Sequence, residues 1–334
     1  MRFVTLNIWS GFNYRGKIRL GYFEPEADRR RREEILIEGL KSLDADVVFL
    51  NEVNPVPAQT DRLRRALKMD AVGHIGVSGV KIGRIGFPVN LREADVILAR
   101  SELEMEPIGR VHLAGKGFVT NYASFHTGNL TQAVAVRLRS GDGRPFGAVV
   151  THWLACPEWK GSASDQTALT MVASRRGFRA ADVMSAEKQL EEDAVLKRRE
   201  ASRLLSFLER QFSSDMPVVV GGDFNAGPDW ESIRMIKNAG WTDLFAAAGE
   251  GDGYTWDPLQ NTNISRYYTE ESELKKPRLY DTYHDIDELR PRRIDYLWAR
   301  GFGQIESCRL CFHDVPENGF PVSDHFGLTA DINF

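Results

Sequence analysis

The sequence predicts an α/β protein. Short runs of β-branched and apolar residues, such as Val218-Val219-Val220 and Asp46-Val47-Val48-Phe49-Leu50, read as buried strands. Stretches with leucines at helical spacing lie between them. A third observation sets the functional question: most of the apolar runs end in a polar residue able to do chemistry. Sheets of this class place their ligands in the crevice at strand ends.

In chain order, Arg2 to Trp9 is strand-like, and Asn7 sits where it runs out. Residues 12–24 form a loop mixing basic and aromatic side chains (Tyr14, Arg15, Lys17, Arg19, Tyr22, Phe23), either plain surface or a substrate contact. Pro25 to Leu43 reads as a helix with Leu36, Leu40 and Leu43 on one face and Arg29 to Arg32 on a solvated one. The strand over 46–50 ends in Asn51-Glu52-Val53-Asn54-Pro55, which puts a carboxylate at a second strand end before a proline stop. Gln59 to Met69 is a helix, and 95–99 and 132–138 are strands. Pro145 to Trp153 is a strand closed by Thr151-His152-Trp153.

Residues 155–185 look less regular and hold Trp159, Arg175, Arg176 and Arg179. Ala186 to Phe212 is a long amphipathic helix with Leu196, Leu204, Leu205 and Leu208 inward. It returns the chain to the Val218 strand, where Gly221-Gly222 permit a tight turn and a close approach. Asp223-Phe224-Asn225 follow, then Pro228 and a short helix from Trp230 to Ala239. Residues 257–290 read as a long polar loop with Tyr267, Tyr268, Tyr280 and Tyr283; loops of this length are usually functional. Arg292 to Trp298 starts a strand carrying Asp295. The chain closes with Ser323-Asp324-His325-Phe326-Gly327-Leu328 and a last strand.

With 334 residues, 42% hydrophobic and 27% charged, the chain has ample material for a core. No linker, repeat or low-complexity tract divides it, so one domain over 1–334 is expected, with long loops at 10–24, 155–185 and 257–290. A net charge of −4 argues against a broad electrostatic grip on nucleic acid but leaves room for a local basic groove. Cys156, Cys308 and Cys311 are too few for a disulfide framework, and no second zinc-spaced pair accompanies the CxxC, so all three are expected to be reduced and packed. No apolar run approaches the ~20 residues of a membrane span. Met1 leads straight into a strand rather than a signal peptide, so a cytoplasmic monomer is expected.

Taken together, Leu6-Asn7-Ile8, Asn51-Glu52-Val53, Thr151-His152, Gly222-Asp223-Phe224-Asn225, Arg293-Ile294-Asp295-Tyr296 and Ser323-Asp324-His325 form an ordered set. That set resembles the endonuclease/exonuclease/phosphatase superfamily, the DNase I-like proteins, from end to end of the chain. The resemblance implies a four-layered α/β sandwich, two packed and mainly antiparallel β-sheets flanked by helices, with the site at one end of the sheet pair. It also implies Mg²⁺- or Mn²⁺-dependent hydrolysis of a phosphoester. The residue types suit that chemistry: anionic oxygens need neutralising, a water needs activating, and hard cations take carboxylate oxygens.

Carried over by position, the resemblance makes Glu52 the main metal ligand, with Asn7 and Asp324 completing the metal environment. Asp223 orients or deprotonates the attacking water, and Asn225 holds that water or a phosphoryl oxygen. His325 contacts the phosphoryl oxygens, Asp295 fixes its tautomer, and His152 is a phosphate contact or general acid. One departure is Trp9, where family nucleases acting on DNA often carry an acidic residue. Tyr254-Thr255-Trp256-Asp257 with Asn261 and Asn263 is similar to the tyrosyl-DNA phosphodiesterases and also to bacterial relatives of neutral sphingomyelinases. The expected function is therefore a phosphodiesterase acting on a nucleic-acid end or related phosphodiester. The alternative is hydrolysis of small phosphoesters or lipid headgroups such as sphingomyelin, inositol phosphates or sugar phosphates. A non-enzymatic binding module is disfavoured by the intact Glu52, Asp223, Asn225 and His325.

Overall fold

The computed structural model describes all residues except 14–21, 56, 76–78, 83–84, 88–93, 120–122, 266–277, 315–319 and 334. Its strands are β1 (Arg2–Asn7), β2 (Phe12–Asn13), β3 (Tyr22–Phe23), β4 (Val47–Val53), β5 (Met69–Ile75), β6 (Gly79–Ile82), β7 (Ile85–Phe87), β8 (Ala94–Arg100), β9 (Glu106–Val119), β10 (Ala123–Arg139), β11 (Pro145–His152), β12 (Val218–Asp223), β13 (Thr242–Asp243), β14 (Asp295–Arg300), β15 (Ile305–Cys311) and β16 (Gly327–Ile332). Its helices are α1 (Glu26–Leu43), α2 (Ala58–Leu67), α3 (Ala163–Arg176), α4 (Ala180–Gln211), α5 (Glu231–Asn238), α6 (Leu244–Ala248), α7 (Thr262–Ser265) and α8 (Leu279–Asp287).

Two mixed sheets form the body. One runs β15-β16-β1-β4-β8-β5; the other runs β13-β14-β12-β11-β10-β6-β7, with β9 paired to β10. Among the described pairings each sheet has one parallel pair, β1 with β4 and β11 with β12, and the rest are antiparallel. Between the sheets, Phe3, Val47, Phe49 and Ile97 pack on Val136, Phe146, Ala148, Val150 and Val219. Outside the first sheet, Leu36 and Leu40 of α1 and Leu63 of α2 cover Val4, Leu6, Val48 and Leu50. Outside the second, Leu204, Phe207 and Leu208 of α4 and Ile233 and Ile236 of α5 cover Val149, Val218 and Val220. Helix, sheet, sheet, helix is the four-layered DNase I-like sandwich.

Both parallel pairs point their C-terminal ends to the same rim. Asn7 stands level with Asn51, His152 with Asp223, and Asp223 with Asp295 across the antiparallel β14. β12 continues through its two glycines instead of turning at them. What comes close there is protein: a Cβ on Gly221 would lie 2.3 Å from the Phe49 ring, and one on Gly222 (φ +147°) would lie 1.9 Å from the Thr151 carbonyl oxygen. Gly221 thus lets the two sheets meet immediately behind Asp223, and Gly222 lets β12 close on its neighbour β11.

Several expectations are corrected. Residues 155–185 are not a loop: α3 and the first turns of α4 together fill most of the stretch. The signal was the Ser162/Asp165 capping box, with Asp165 N–H donating to Ser162 Oγ at 3.2 Å and Ser162 N–H to Asp165 Oδ2 at 3.1 Å. The apolar face of α3 is thin, with only Leu169 and Ala173 buried, so periodicity was faint. Residues 257–290 likewise carry α7 and α8. Tyr283 is a core residue against Trp159, Leu190 and Leu279, while Tyr267 and Tyr268 lie outside the described residues. The helix expected to reach Met69 stops at Leu67, and Met69 opens β5. Of the basic loop after Asn7, residues 14–21 lie outside the described residues, and β2 pairs with β3 at its base. The three cysteines are buried; Cys308 packs between the sheets and Cys311 on the outer face of the first. Burial pushes the Cys156 and Cys308 thiols up to about 12, so they are inert at neutral pH. No helix among the described residues is long and apolar enough to cross a membrane.

Candidate active site

All eight expected residues gather at the common rim. Asn7, Asp223, Asp295 and His325 form a buried floor, and Glu52, His152, Asn225 and Asp324 are half-buried around it. Asn7 joins the two sheets. Its Nδ2 donates to Glu52 Oε1 and to Asp223 Oδ2, each at 3.1 Å. The turn after β1 closes on the same carboxylate, with Ser10 N–H donating to Glu52 Oε2 at 2.9 Å. Glu52 itself takes a left-handed backbone conformation (φ +58°), which turns its side chain out of strand alternation toward the crevice.

Asp223 is held on both oxygens. Oδ1 accepts from Asn225 N–H at 2.8 Å, and Oδ2 accepts from Asn225 Nδ2 at 3.2 Å as well as from Asn7. Two imidazoles face it, His152 Nε2 at 3.5 Å and His325 Nε2 at 3.8 Å. Asn225, at φ +46°, is fixed by a second donation to Trp153 O at 3.0 Å. Across from Asp223, Asp295 Oδ2 and His325 Nδ1 share a hydrogen bond of 2.8 Å. Burial disfavours a charged His325, but the Asp295, Asp223 and Asp324 carboxylates outweigh it and hold the imidazole well above its ordinary value. Burial raises Asp295 despite this partner. Burial also pushes Asp324 up to about 7, with the Glu52 charge adding to it and His325 opposing.

Several residues that the sequence motifs contain, without a role assigned to them, support this floor. Thr255 Oγ1 accepts the N–H groups of Ile294 and Asp295, both at 3.1 Å. Trp256 packs its ring at 5.1 Å from that of His325, edge to face. Asn261 and Asn263 donate to Ser323 O at 3.0 and 3.2 Å and so shape the turn carrying Asp324 and His325. Asn51, fully buried, accepts from Asp223 N–H at 2.9 Å and donates to Asp95 Oδ1 at 2.7 Å and Thr151 O at 3.0 Å.

Two buried cations stand behind the rim. Arg32 was expected on a solvated helix face. It is instead only 5% exposed, paired with Glu24 and donating to Ile8 O at 2.8 Å and Val322 O at 2.7 Å. Its guanidinium lies 4.6 Å from the ring of Trp9, the residue that departs from the nuclease pattern. Lys197 of α4 donates to Phe224 O at 2.8 Å, and its partner Glu200 accepts from Thr131 Oγ1 and Leu154 N–H at 2.6 and 3.0 Å. A run of charges in sequence does not reveal which member turns inward. Its spacing from flanking leucines gives the only hint.

Beside Asn225 a pocket opens, lined also by Cys156, Glu158, Gly227, Trp230, Arg292 and Ile294. The segments after His152 and before Asp295 therefore meet on one wall.

A sandwich of this topology, with a carboxylate–amide–imidazole cluster at the shared rim, defines a DNase I-like α/β protein. The chain belongs to the Endonuclease/Exonuclease/phosphatase family, whose pattern matches residues 4–325. Its fold is similar to that of the endonuclease/exonuclease/phosphatase from Bacteroides vulgatus (17% identity, TM-score 0.60, covering 100% of this chain and 98% of that one). It is also similar to a mannosyl-6-phosphatase of Bacteroides thetaiotaomicron (14%, 0.59, 100% of both). TDP2 of D. rerio, solved with a single-strand DNA product, is a third (16%, 0.56, 100% and 99%). No curated protein matches the chain.

Proposed function

We propose that the protein is a Mg²⁺- or Mn²⁺-dependent phosphoester hydrolase acting on a nucleic-acid end or a related phosphodiester. The observation that carries the reading is the opposition of two functions in one crevice: the His325–Asp295 pair faces Asp223, with Glu52 and Asp324 beside them. A second reading, a small phosphoester or headgroup, is favoured by the net charge of −4.

The residues fit a hard divalent cation. Glu52 and Asp324 both offer carboxylate oxygens, and the Glu52 charge raises the proton affinity of Asp324, a repulsion that a cation relieves. Asp223, Asp295 and His325 also bring one potential ligand atom each to within 4.8 Å. But His325 Nδ1 and Asp295 Oδ2 already hold a proton between them at 2.8 Å. We therefore assign the cation to Glu52, Asp324 and Asn7. When bound, the ion would neutralise phosphoryl oxygens.

The remaining steps belong to the chain. Asp223, held on both oxygens, orients or deprotonates the attacking water, and Asn225 holds that water or a phosphoryl oxygen. His325, kept cationic by its carboxylates, neutralises a phosphoryl oxygen. His152, half-buried at 3.5 Å from Asp223, contacts phosphate or protonates the leaving oxygen.

The test is a screen of purified protein with Mg²⁺ against phosphomonoesters and phosphodiesters, repeated after exhaustive chelation and across a salt series. Hydrolysis that needs the ion is expected. Steep loss with salt favours the nucleic-acid reading, and indifference to salt the small-molecule one. Hydrolysis unaffected by chelation would refute the metal assignment.

A further inference from the structure

We infer that Asn51 is a positioning residue for the hydrolysis: from the first sheet, with Asp95 behind it, it fixes the strand ends that carry Asp223 and His152 in place relative to Glu52. The inference rests on the proposed hydrolytic reading and adds a residue to it.

β4 makes room for this role. Its pairing with β8 is irregular between Leu50 and Val53, and Asn51 and Glu52 fall in that irregularity. Glu52 turns to the crevice through its left-handed backbone, while Asn51 stays between the sheets, fully buried. There the amide reaches two neighbouring strands of the second sheet. Oδ1 accepts from Asp223 N–H at 2.9 Å, and Nδ2 donates at 3.0 Å to the carbonyl of Thr151, the residue before His152. One side chain thus ties the ends of β11 and β12 to the residue next to Glu52.

Asp95 decides which way the amide faces. It is buried on β8, and each of its oxygens accepts from an amide: Oδ1 from Asn51 Nδ2 at 2.7 Å, Oδ2 from Gln132 Nε2 at 2.9 Å. Burial raises its proton affinity, and the His152 charge and these two donors oppose that. An acceptor in this place draws the Asn51 NH₂ toward itself and leaves Oδ1 for Asp223. Turned over, Asn51 would set its NH₂ against Asp223 N–H and its oxygen against the Thr151 carbonyl. Gln132 stands level with His152 across β10 and β11, so the same carboxylate braces that wall as well. Such bracing acts on rate, because a reacting group misplaced by ~1 Å costs ~10²-fold.

The experiment uses Asn51→Leu, which roughly keeps the volume and deletes all three bonds. It also leaves Asp95 short of a donor, so Asn51→Leu/Asp95→Asn, which removes the buried charge, is made beside it. Hydrogen exchange of the Asp223 amide is read first by NMR, without catalysis. It should be slow in the parent and ~10-fold or more faster in both variants, measured against the Val219 and Val220 amides of the same strand. Urea unfolding is read second: Asn51→Leu should be less stable than the parent, and the double variant should recover part of the loss. Turnover is read third, with Mg²⁺ and the ester the parent hydrolyses fastest. In both variants kcat should fall ~10-fold or more with KM little changed. Recovery of kcat in step with stability would make Asn51 merely structural and overturn the inference. So would an Asp223 amide that exchanges as freely as an exposed one in the parent, a measurement that stands even if neither variant folds, or one unaffected in the variants. If the amide behaves as expected while the parent hydrolyses no ester, the hydrolase reading falls instead.

Discussion

Lys197 stands behind the crevice, bonded to the carbonyl between Asp223 and Asn225, and the structure sets the size of the effect of removing it. Lys197 and Glu200 are 1% and 0% exposed, their charges 3.8 Å apart. Lys197→Met keeps the volume and deletes the cation. Glu200 then either stays charged without its partner, a situation worth ~3–5 kcal/mol, or takes a proton. Protonating a glutamate of ordinary pKa ~4.3 at pH 7 costs about 3.7 kcal/mol, which caps the charge contribution. At pH 5 the same cap falls to about 1 kcal/mol. Loss of the bond to Phe224 O adds ~1–3 kcal/mol at either pH.

The sign is fixed by linkage. Burial already raises Glu200 in the folded state, and loss of the lysine raises it further. Protonation is therefore more favourable folded than unfolded, so the deficit grows as pH rises and shrinks as it falls. Urea unfolding at pH 5 and pH 7 reads this directly. Lys197→Met should lose clearly more stability at pH 7. The double variant Lys197→Met/Glu200→Gln should recover most of the difference, because glutamine still accepts from Thr131 and Leu154. A deficit independent of pH, or no recovery in the double variant, would refute the reasoning.

Three further outcomes are expected. Glu52→Gln should weaken Mg²⁺ or Mn²⁺ binding by ~10-fold or more in calorimetry while the circular dichroism stays that of the parent; unchanged affinity would remove Glu52 from the cation. Asp223→Asn should lower kcat by ~10²-fold or more with KM little changed, and a near-normal kcat in a folded variant would reassign the residue. Asp295→Asn removes the first carboxylate that holds His325 above its usual value, so the alkaline limb of kcat/KM should move to lower pH. The stability carried by the protonated imidazole, complete below ~6.5 and lost as pH rises through the folded value, should shrink with it. NMR titration of the ring checks the shift, and an unmoved His325 would separate the two residues.

The strands that carry the site were legible because each is an uninterrupted apolar run ending in one chemical group. Val47 to Leu50 before Glu52, and Val218 to Val220 before Asp223, needed no partner to be read. Strands whose pattern depends on a neighbour were not legible. Met69 to Ile75 includes Asp70, Gly73 and His74, and it reads as a strand only once β8 lies beside it. Glu106 to Val119 follows no simple alternation because its pairing with β10 is broken by register shifts. Inward charges were hidden for a different reason. Arg32, Lys197 and Glu200 look like their solvated neighbours until the carbonyls and amides they satisfy are known. The same holds for Asn51, which sequence places beside Glu52 but whose partners come from strands about 100 and 172 residues away.

β16 lies between β15 and β1, so the first sheet is closed by a strand from the far end of the chain. Ser323 Oγ donates to the Asn7 carbonyl at 2.6 Å across 316 residues. Few contacts in a protein of this size demand so large a chain closure, and distant pairings form slowly. The crevice therefore cannot be complete until the end of the chain has emerged. Asn7 and Glu52 are present early as an unfinished half, with the edge of β1 unpaired, until Asp324 and His325 arrive with β16. A chain stopped before Ser323 leaves β1 as an open sheet edge and the crevice without Asp324 and His325.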